Sequence, residues 1–336
     1  MKLTAEQILS AAQGAVRTEE TENGLRLCRL TEEEQAVYVP TIRDSRARAS
    51  ADIKLEFDTD AKSLTLTVQA EPGTSRKYFA FEICKDGERI GFLRNFDDAV
   101  ENTVYVSQKY ELGEYSGTYP LGEGVKRIRI LFPHTVIPHL RQISLEGASV
   151  FTPVIREKKI LMYGDSITHG CDALYPSQMY TARLGDMFGA HILNKGVGGE
   201  RFNPALVSCP CDFKPDFITS AYGTNDWAGE SRETLIDNCR RYHAILAEKY
   251  PDTPIFVLSP IWRYDTERER PFGPFEAVAD FIRGTIAPYA NMHFVYGMDL
   301  VPHDRSFFGD AALHPNAAGF AHYAENLYKE IAKYGI

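Results

Sequence analysis

Long apolar runs are missing from this 336-residue chain. No stretch approaches the roughly 18 residues needed to span a bilayer as a helix, so a membrane partner is not expected. Basic clusters are missing as well. Lys and Arg number 37 against 46 Asp and Glu, a formal charge of −9 with no local positive patch, which argues against nucleic acid or anionic lipid as a partner. Cysteine is sparse. Cys28, Cys84, Cys171, Cys209, Cys211 and Cys239 are too scattered for the disulfide framework of a small secreted domain. Cys209-Pro-Cys211 is the one close pair, but a structural zinc site calls for wider spacing and a second ligand pair, so no metal is expected. Met1-Lys2-Leu3-Thr4-Ala5-Glu6-Gln7 is interrupted by polar residues where a secretory leader carries its apolar core, and a cytoplasmic location is the expectation. Internal repeats, low-complexity tracts and a long flexible linker are also lacking.

What remains is a composition of 44% hydrophobic and 25% charged residues at a length that usually holds two cores. Residues up to about 150 read as strand. Ala51 to Phe57 and Lys62 to Val68 alternate apolar and polar side chains around the turn-like Asp58-Thr59-Asp60, which predicts a hairpin. Further short strands are expected at Tyr78 to Cys84, Ile90 to Leu93, Thr103 to Val106, Ile128 to Phe132 and Leu140 to Leu145. The one good helix candidate is Thr4 to Gln13, with Thr4 as its cap. The pattern predicts a β-sandwich or jelly roll over residues 1–153.

From Lys158 the texture changes to strands alternating with longer helical segments, the mark of a parallel sheet covered by helices. Strands are expected at Lys159 to Tyr163, Ala190 to Leu193, Asp216 to Tyr222, Pro254 to Leu258 and Met292 to Tyr296. Helices are expected at Tyr180 to Phe188, Arg232 to Tyr250, Phe275 to Tyr289 and Asn316 to Lys333. This predicts a three-layer α/β/α domain over residues 157–336, joined to the first by Phe151 to Arg156.

The first strand of this half runs into Gly164-Asp165-Ser166. In an open α/β sheet the carboxyl ends of strands are where sites form, so Ser166 is placed for chemistry, although a strand-to-helix turn capped by Asp or Ser reads the same way. A serine nucleophile needs a base and a group of donors for the oxyanion. The loops after later strands offer both: Asn194-Lys195-Gly196-Val197-Gly198-Gly199-Glu200, then Gly223-Thr224-Asn225-Asp226, then Leu313-His314-Pro315-Asn316 before the last helix. His169, three residues past the serine, approaches from the wrong side for a base. Asp165 and Asp226 suit loop bracing, and Asp299 and Asp304 read as turn residues. Trp227 and Trp262 follow strand ends and can either line a substrate site or pack at the domain junction.

In this order the blocks resemble the SGNH (GDSL-like) hydrolase superfamily, over a little more than half the chain. The resemblance implies Ser166 as nucleophile, His314 as base, and an oxyanion hole of the Ser166 N–H, the Gly199 N–H and the Asn225 side-chain amide, with no cofactor. Gly199 is preferred to Gly198 because the family's glycine usually directly precedes a polar residue, here Glu200. The sequence departs from the family at the acid: three residues before His314 stands Ala311, and the nearest carboxylate, Asp310, is four before. Either the loop bulges by one residue and Asp310 orients the imidazole, or a backbone carbonyl does.

A β-sandwich ahead of such a domain also resembles the architecture of some carbohydrate esterases that remove acetyl groups. This implies a small-molecule or oligosaccharide ester as substrate, with the sandwich shaping the site, binding glycan, or only covering one flank. A lipid esterase or thioesterase, an acyltransferase using the same residues, and an inactive glycan-binding protein are the rival readings. The first needs an apolar acyl channel, for which no long apolar loop is present.

Overall fold

In the computed structural model, which describes residues 1–97 and 110–336, two antiparallel sheets form the first half of the chain. One orders Ala12–Gln13, Lys54–Thr59, Lys126–Leu131, Ala80–Lys85 and Glu88–Arg94, with Phe151–Pro153 beside Lys54–Thr59. The other orders Arg17–Thr21, Gly24–Cys28, Val136–Glu146, Ser63–Pro72 and Glu114–Pro120. Leu55, Phe57, Phe81, Ile83, Ile128 and Ile130 of the first meet Leu64, Leu66, Val68 and Leu145 of the second in one wholly buried core. The inward residues recur every second position, as the pleat of a strand requires, and the result is a β-sandwich. The helix Ala5–Ala11 starts at Thr4, whose side chain accepts from the Gln7 N–H while Gln7 reaches back to the Thr4 N–H.

The expected hairpin is not formed. Lys54–Thr59 pairs with Lys126–Leu131 in one sheet, and Ser63–Pro72 pairs with Val136–Glu146 and Glu114–Pro120 in the other. Alternation locates a strand but not its partner, and here the chain crosses between sheets. The Asp60 carboxylate fixes that corner by accepting from the Ser149 and Val150 N–H groups, each at 2.8 Å. The strand expected at 103–106 lies outside the described residues.

The second half is a parallel sheet ordered His191–Asn194, Lys159–Gly164, Phe217–Ala221, Ile255–Leu258 and Met292–Val295. Ile160, Leu161, Met162 and Tyr163 are all fully buried, because both faces of their strand are covered. Helices Arg232–Lys249 and Glu276–Ile286 pack with Leu161 and Tyr163 on one face. Helices Tyr180–Phe188 and Ala317–Ala332 pack with Ile160 and Met162 on the other. This is the three-layer α/β/α fold. The chain passes from Lys159–Gly164 to the strand on one side and then to the strand on the other, and such a switch point opens a crevice at the carboxyl ends.

The two halves interlock. Between Gly24–Cys28 and Lys54–Thr59 the chain forms two short helices, Glu32–Ala36 and Arg43–Arg48, and packs on the parallel sheet; Leu30, Tyr38 and Ala47 share a core with Leu193, Val197 and Tyr222. Inside this junction Lys195 donates to Glu34, and both side chains are completely buried. Removing one member of such a pair strands a charge without water, whereas replacing both with apolar groups removes the problem. Glu34→Ala is therefore expected to cost about 3–5 kcal/mol, and the double change Glu34→Leu with Lys195→Met to recover most of it, as read from urea unfolding midpoints.

Candidate active site

Ser166 opens a four-residue helical turn directly after strand Lys159–Gly164, and the Asp165 carboxylate caps that turn by accepting from the Ile167 N–H at 2.9 Å. The turn holds Ser166 almost buried, 5% exposed, at the mouth of the crevice. His314 arrives on the loop before the last helix. Its Nε2 stands 2.8 Å from Ser166 Oγ and its Nδ1 stands 2.7 Å from Asp310 Oδ2. A carboxylate only accepts, so Nδ1 carries the proton and Nε2 presents a lone pair to the serine hydroxyl.

The extra residue between Asp310 and His314 is taken up at Ala311, which adopts a left-handed backbone with φ of 55°. The turn so made lets Asp310 Oδ1 accept from the N–H groups of Ala312, Leu313 and His314 at 2.9, 2.7 and 3.0 Å. Burial by itself raises the Asp310 pKa, but the hydrogen bond and charge of His314 and these backbone donors outweigh it and hold the carboxyl well below the usual range. The group is ionised throughout the neutral range.

Glycine block and amide follow the next two strands. Gly198 and Gly199 line a pocket of about 180 Å³ together with Ser166, Asn225 and His314. The Gly198 N–H is engaged by His169 Nδ1 at 3.2 Å, so among the described residues Gly199 is the one of the pair whose N–H is not taken by a side chain. Asn225 is fixed by one bond from Nδ2 to Glu200 O at 2.9 Å. His169 is fully buried, its pKa is driven down chiefly by burial and then by Arg29, and its Nε2 donates to His134 O at 2.7 Å. It braces the glycine loop in its neutral form. Asp226 accepts from the Phe202 N–H at 3.1 Å, and burial pushes its carboxyl up to about 7; burial raises Asp165 to about 6.

Neither tryptophan lines the pocket. Trp227 is wholly buried, donates from Nε1 to Gly273 O at 2.9 Å and packs edge-on to Phe275, so its place as a substrate contact is corrected to core packing. Trp262 is half-buried between His303 and Phe308 and buttresses the loop that carries Asp310 and His314. Cys211 Sγ receives Lys195 Nζ at 3.1 Å.

Several pocket residues gave no sequence signal. Arg46, Thr74, Ser75 and Arg76 come from the sandwich half. Arg76 donates from Nε and Nη2 to Asp172 Oδ1 at 2.8 and 2.6 Å and places Nη2 3.4 Å from His314 Nδ1. Asp172 Oδ2 is 3.9 Å from the same Nδ1. These side chains are 96 residues apart in sequence, and neither sits in a patterned segment. Asp172, Asp310 and His314 are the one trio of metal-capable side chains found among the described residues, with ligand atoms within 4.8 Å of one another. Arg76 already holds Asp172, and Ser166 the far side of the imidazole.

Residues 162–322 match the family described as GDSL-like lipase/acylhydrolase. They form a GDSL-like hydrolase domain. All the residues just described except those of the sandwich half fall within this GDSL-like domain, and the fold of the whole chain recurs in solved structures. The salicylyl-acyltransferase SsfX3 from a tetracycline biosynthetic pathway is 21% identical with a TM-score of 0.79, over 97% of this chain and 94% of that one. A family two carbohydrate esterase from Clostridium thermocellum, solved with cellohexaose, is 15% identical with a TM-score of 0.68, over 96% and 99%. Another from Cellvibrio japonicus is 17% identical with a TM-score of 0.67, over 99% and 97%. At these identities the likeness concerns the fold, which includes the sandwich. No curated protein matches the chain in sequence.

Proposed function

We propose that the protein is a serine esterase that removes a short acyl group, acetyl in the first place, from a carbohydrate ester through an acyl-enzyme on Ser166. The observation that carries this reading is the hydrogen-bonded chain from Ser166 Oγ through His314 to Asp310, opening on a small pocket rimmed by polar side chains. His314 takes the serine proton as Oγ attacks the ester carbonyl, and Asp310 stabilises the imidazolium that results. The oxyanion is received by the N–H groups of Ser166 and Gly199 and by the second amide hydrogen of Asn225. His314 then returns the proton to the leaving alcohol, and the same steps with water release the acid. Asn225→Ala is expected to lower kcat by about 10²–10³ with the fold intact, the usual effect of losing one such donor; stopped assays with p-nitrophenyl acetate check it.

The short acyl group is favoured by the lining of the pocket, where Arg46, Thr74, Ser75 and Arg76 occupy positions at which an acyl chain would need apolar walls. The carbohydrate is favoured by the likeness of the whole two-part chain to family two carbohydrate esterases. The test compares p-nitrophenyl acetate through octanoate and acetylated xylo- and manno-oligosaccharides. Preference for acetate with deacetylation of the sugars supports the reading; preference for long chains with inert sugars overturns it. A second reading is favoured by the likeness to a salicylyl-acyltransferase over nearly the full length of both chains. In that case an alcohol replaces water, and free acid accumulates only slowly until an acceptor is added.

A further inference from the structure

The loop that follows strand His191–Asn194 has its N–H groups held from the hydrolase half, Lys195 by Met162 O and Val197 by Gly164 O, and its carbonyls held from the sandwich half. Arg29, fully buried, donates from Nη1 to Asn194 O at 2.9 Å and to Gly196 O at 2.7 Å. Arg43 Nε donates to Gly199 O at 3.1 Å, and Arg46 Nη1 donates to Gly198 O at 2.8 Å. On the opposite side, the Gly198 N–H is fixed on His169. Among the described residues no carboxylate lies within ion-pair distance of Arg46, so its strongest hydrogen bond goes to a carbonyl 152 residues away in sequence.

That carbonyl belongs to the peptide unit whose other end is the Gly199 N–H. A peptide is one conjugated group, so a charged donor at its oxygen draws electron density from nitrogen and makes the N–H a better donor. The contact also sets the plane of the unit, since a guanidinium N–H bonds well only near the plane of the carbonyl. The arginine stem lies across the two glycines: a Cβ on Gly198 would come 3.2 Å from Arg46 Cδ, and one on Gly199 would come 2.7 Å from Arg46 Nη1. Gly199 has a φ of +78°, which a side chain would also strain. With no side chain at either glycine, the Arg46 stem and guanidinium lie directly over the pair.

We infer that Arg46 is a positioning residue for the reaction, which aims and strengthens the Gly199 N–H as an oxyanion donor through its bond to Gly198 O. The inference rests on the hydrolase reading above and on Gly199 as a donor. It assigns the sandwich half a part in turnover that binding glycan would not require.

The test uses Arg46→Met and Arg46→Lys in the full chain, with Ser166→Ala and Asn225→Ala beside them. Steady-state kinetics on p-nitrophenyl acetate are measured together with inhibition by a small alkylboronic acid, which forms a tetrahedral adduct on the serine. Arg46→Met is expected to lower kcat by about 10–100-fold, less than outright loss of a donor, with KM within about threefold. Boronate affinity falls by a similar factor, and Arg46→Lys lies between Met and wild type in both. If Arg46→Met does not fold, as judged by its thermal midpoint, the lysine variant decides by the same readouts. Unchanged kcat and boronate binding, or a rise in KM with kcat preserved, overturns the inference, the latter by making Arg46 a substrate contact. Should Ser166→Ala remain active, the hydrolase reading itself fails; should Ser166→Ala and Asn225→Ala be impaired while Arg46→Met equals wild type, only the role of Arg46 fails.

Discussion

Ser166→Ala is expected to lower kcat for acetyl-ester hydrolysis by about 10⁶, leaving only the residual rate that donors and binding supply. The size follows from the linkage of the three side chains. Ser166 Oγ, the imidazole and Asp310 lie in one hydrogen-bonded line at 2.8 and 2.7 Å; the proton moves from Oγ to Nε2 while Asp310 stays ionised and stabilises the imidazolium, so each member depends on the others. Without the hydroxyl there is no acyl-enzyme to form, so adding His314→Ala to Ser166→Ala should cost little more. The pair of single variants and the double variant, compared on p-nitrophenyl acetate at saturating substrate, measure this directly. Additive losses would mean that the two residues act independently and that the acyl-enzyme route is wrong.

The second large effect is expected at Asp310→Asn, a loss of about 10⁴ in kcat. The loop makes this substitution unusually informative. Oδ1 of Asp310 accepts from three backbone N–H groups, so an asparagine must keep its carbonyl oxygen there and turn its NH₂ toward His314. That amide donates to Nδ1 and forces the imidazole proton onto Nε2, which faces Ser166 and can then no longer accept. Asp310→Ala is a poorer experiment, because it leaves the three backbone donors without their shared acceptor and disturbs the turn. Retention of kcat within tenfold in Asp310→Asn would move the orienting role elsewhere, and Asp172, with Oδ2 3.9 Å from Nδ1, is the carboxylate in place to take it.

Much of the fold was legible because its strands and helices carry their own period. Leu64 to Ala70 buries every second residue, and Ile160 to Tyr163 is an unbroken buried run within the strand Lys159–Gly164. Pairing was not legible, as the strands around Asp58-Thr59-Asp60 demonstrate: alternation says which face is apolar and nothing about which sheet the next strand joins. Glu32–Ala36 and Arg43–Arg48 were missed because five or six residues are too few to display a helical repeat. At the site, Ser166, the glycine block and Asn225 stood out because each follows a strand end, His314 because it stands just before the last helix, and Gly199 was singled out within its block only through the family resemblance. The position of Asp310 depended on the left-handed turn at Ala311, a conformation that alanine does not advertise. Arg46 and Arg76 were out of reach altogether, since only the docking of the two halves brings them to the pocket.

The arginines that grip the glycine loop, and the carboxylate that neutralises Lys195, all reside between residues 29 and 46. This stretch belongs to the sandwich by connection and to the hydrolase by contact, which has a consequence for how such a chain can change over generations. A sandwich taken from a distant relative and grafted onto this hydrolase arrives without matching arginines unless this chain's own residues 29–46 are kept. The two parts are therefore expected to be inherited as one piece rather than exchanged like beads, and a graft that replaces only residues 54–153, keeping 29–46 with their own hydrolase, should hold the glycine loop better than one that replaces all of 1–153.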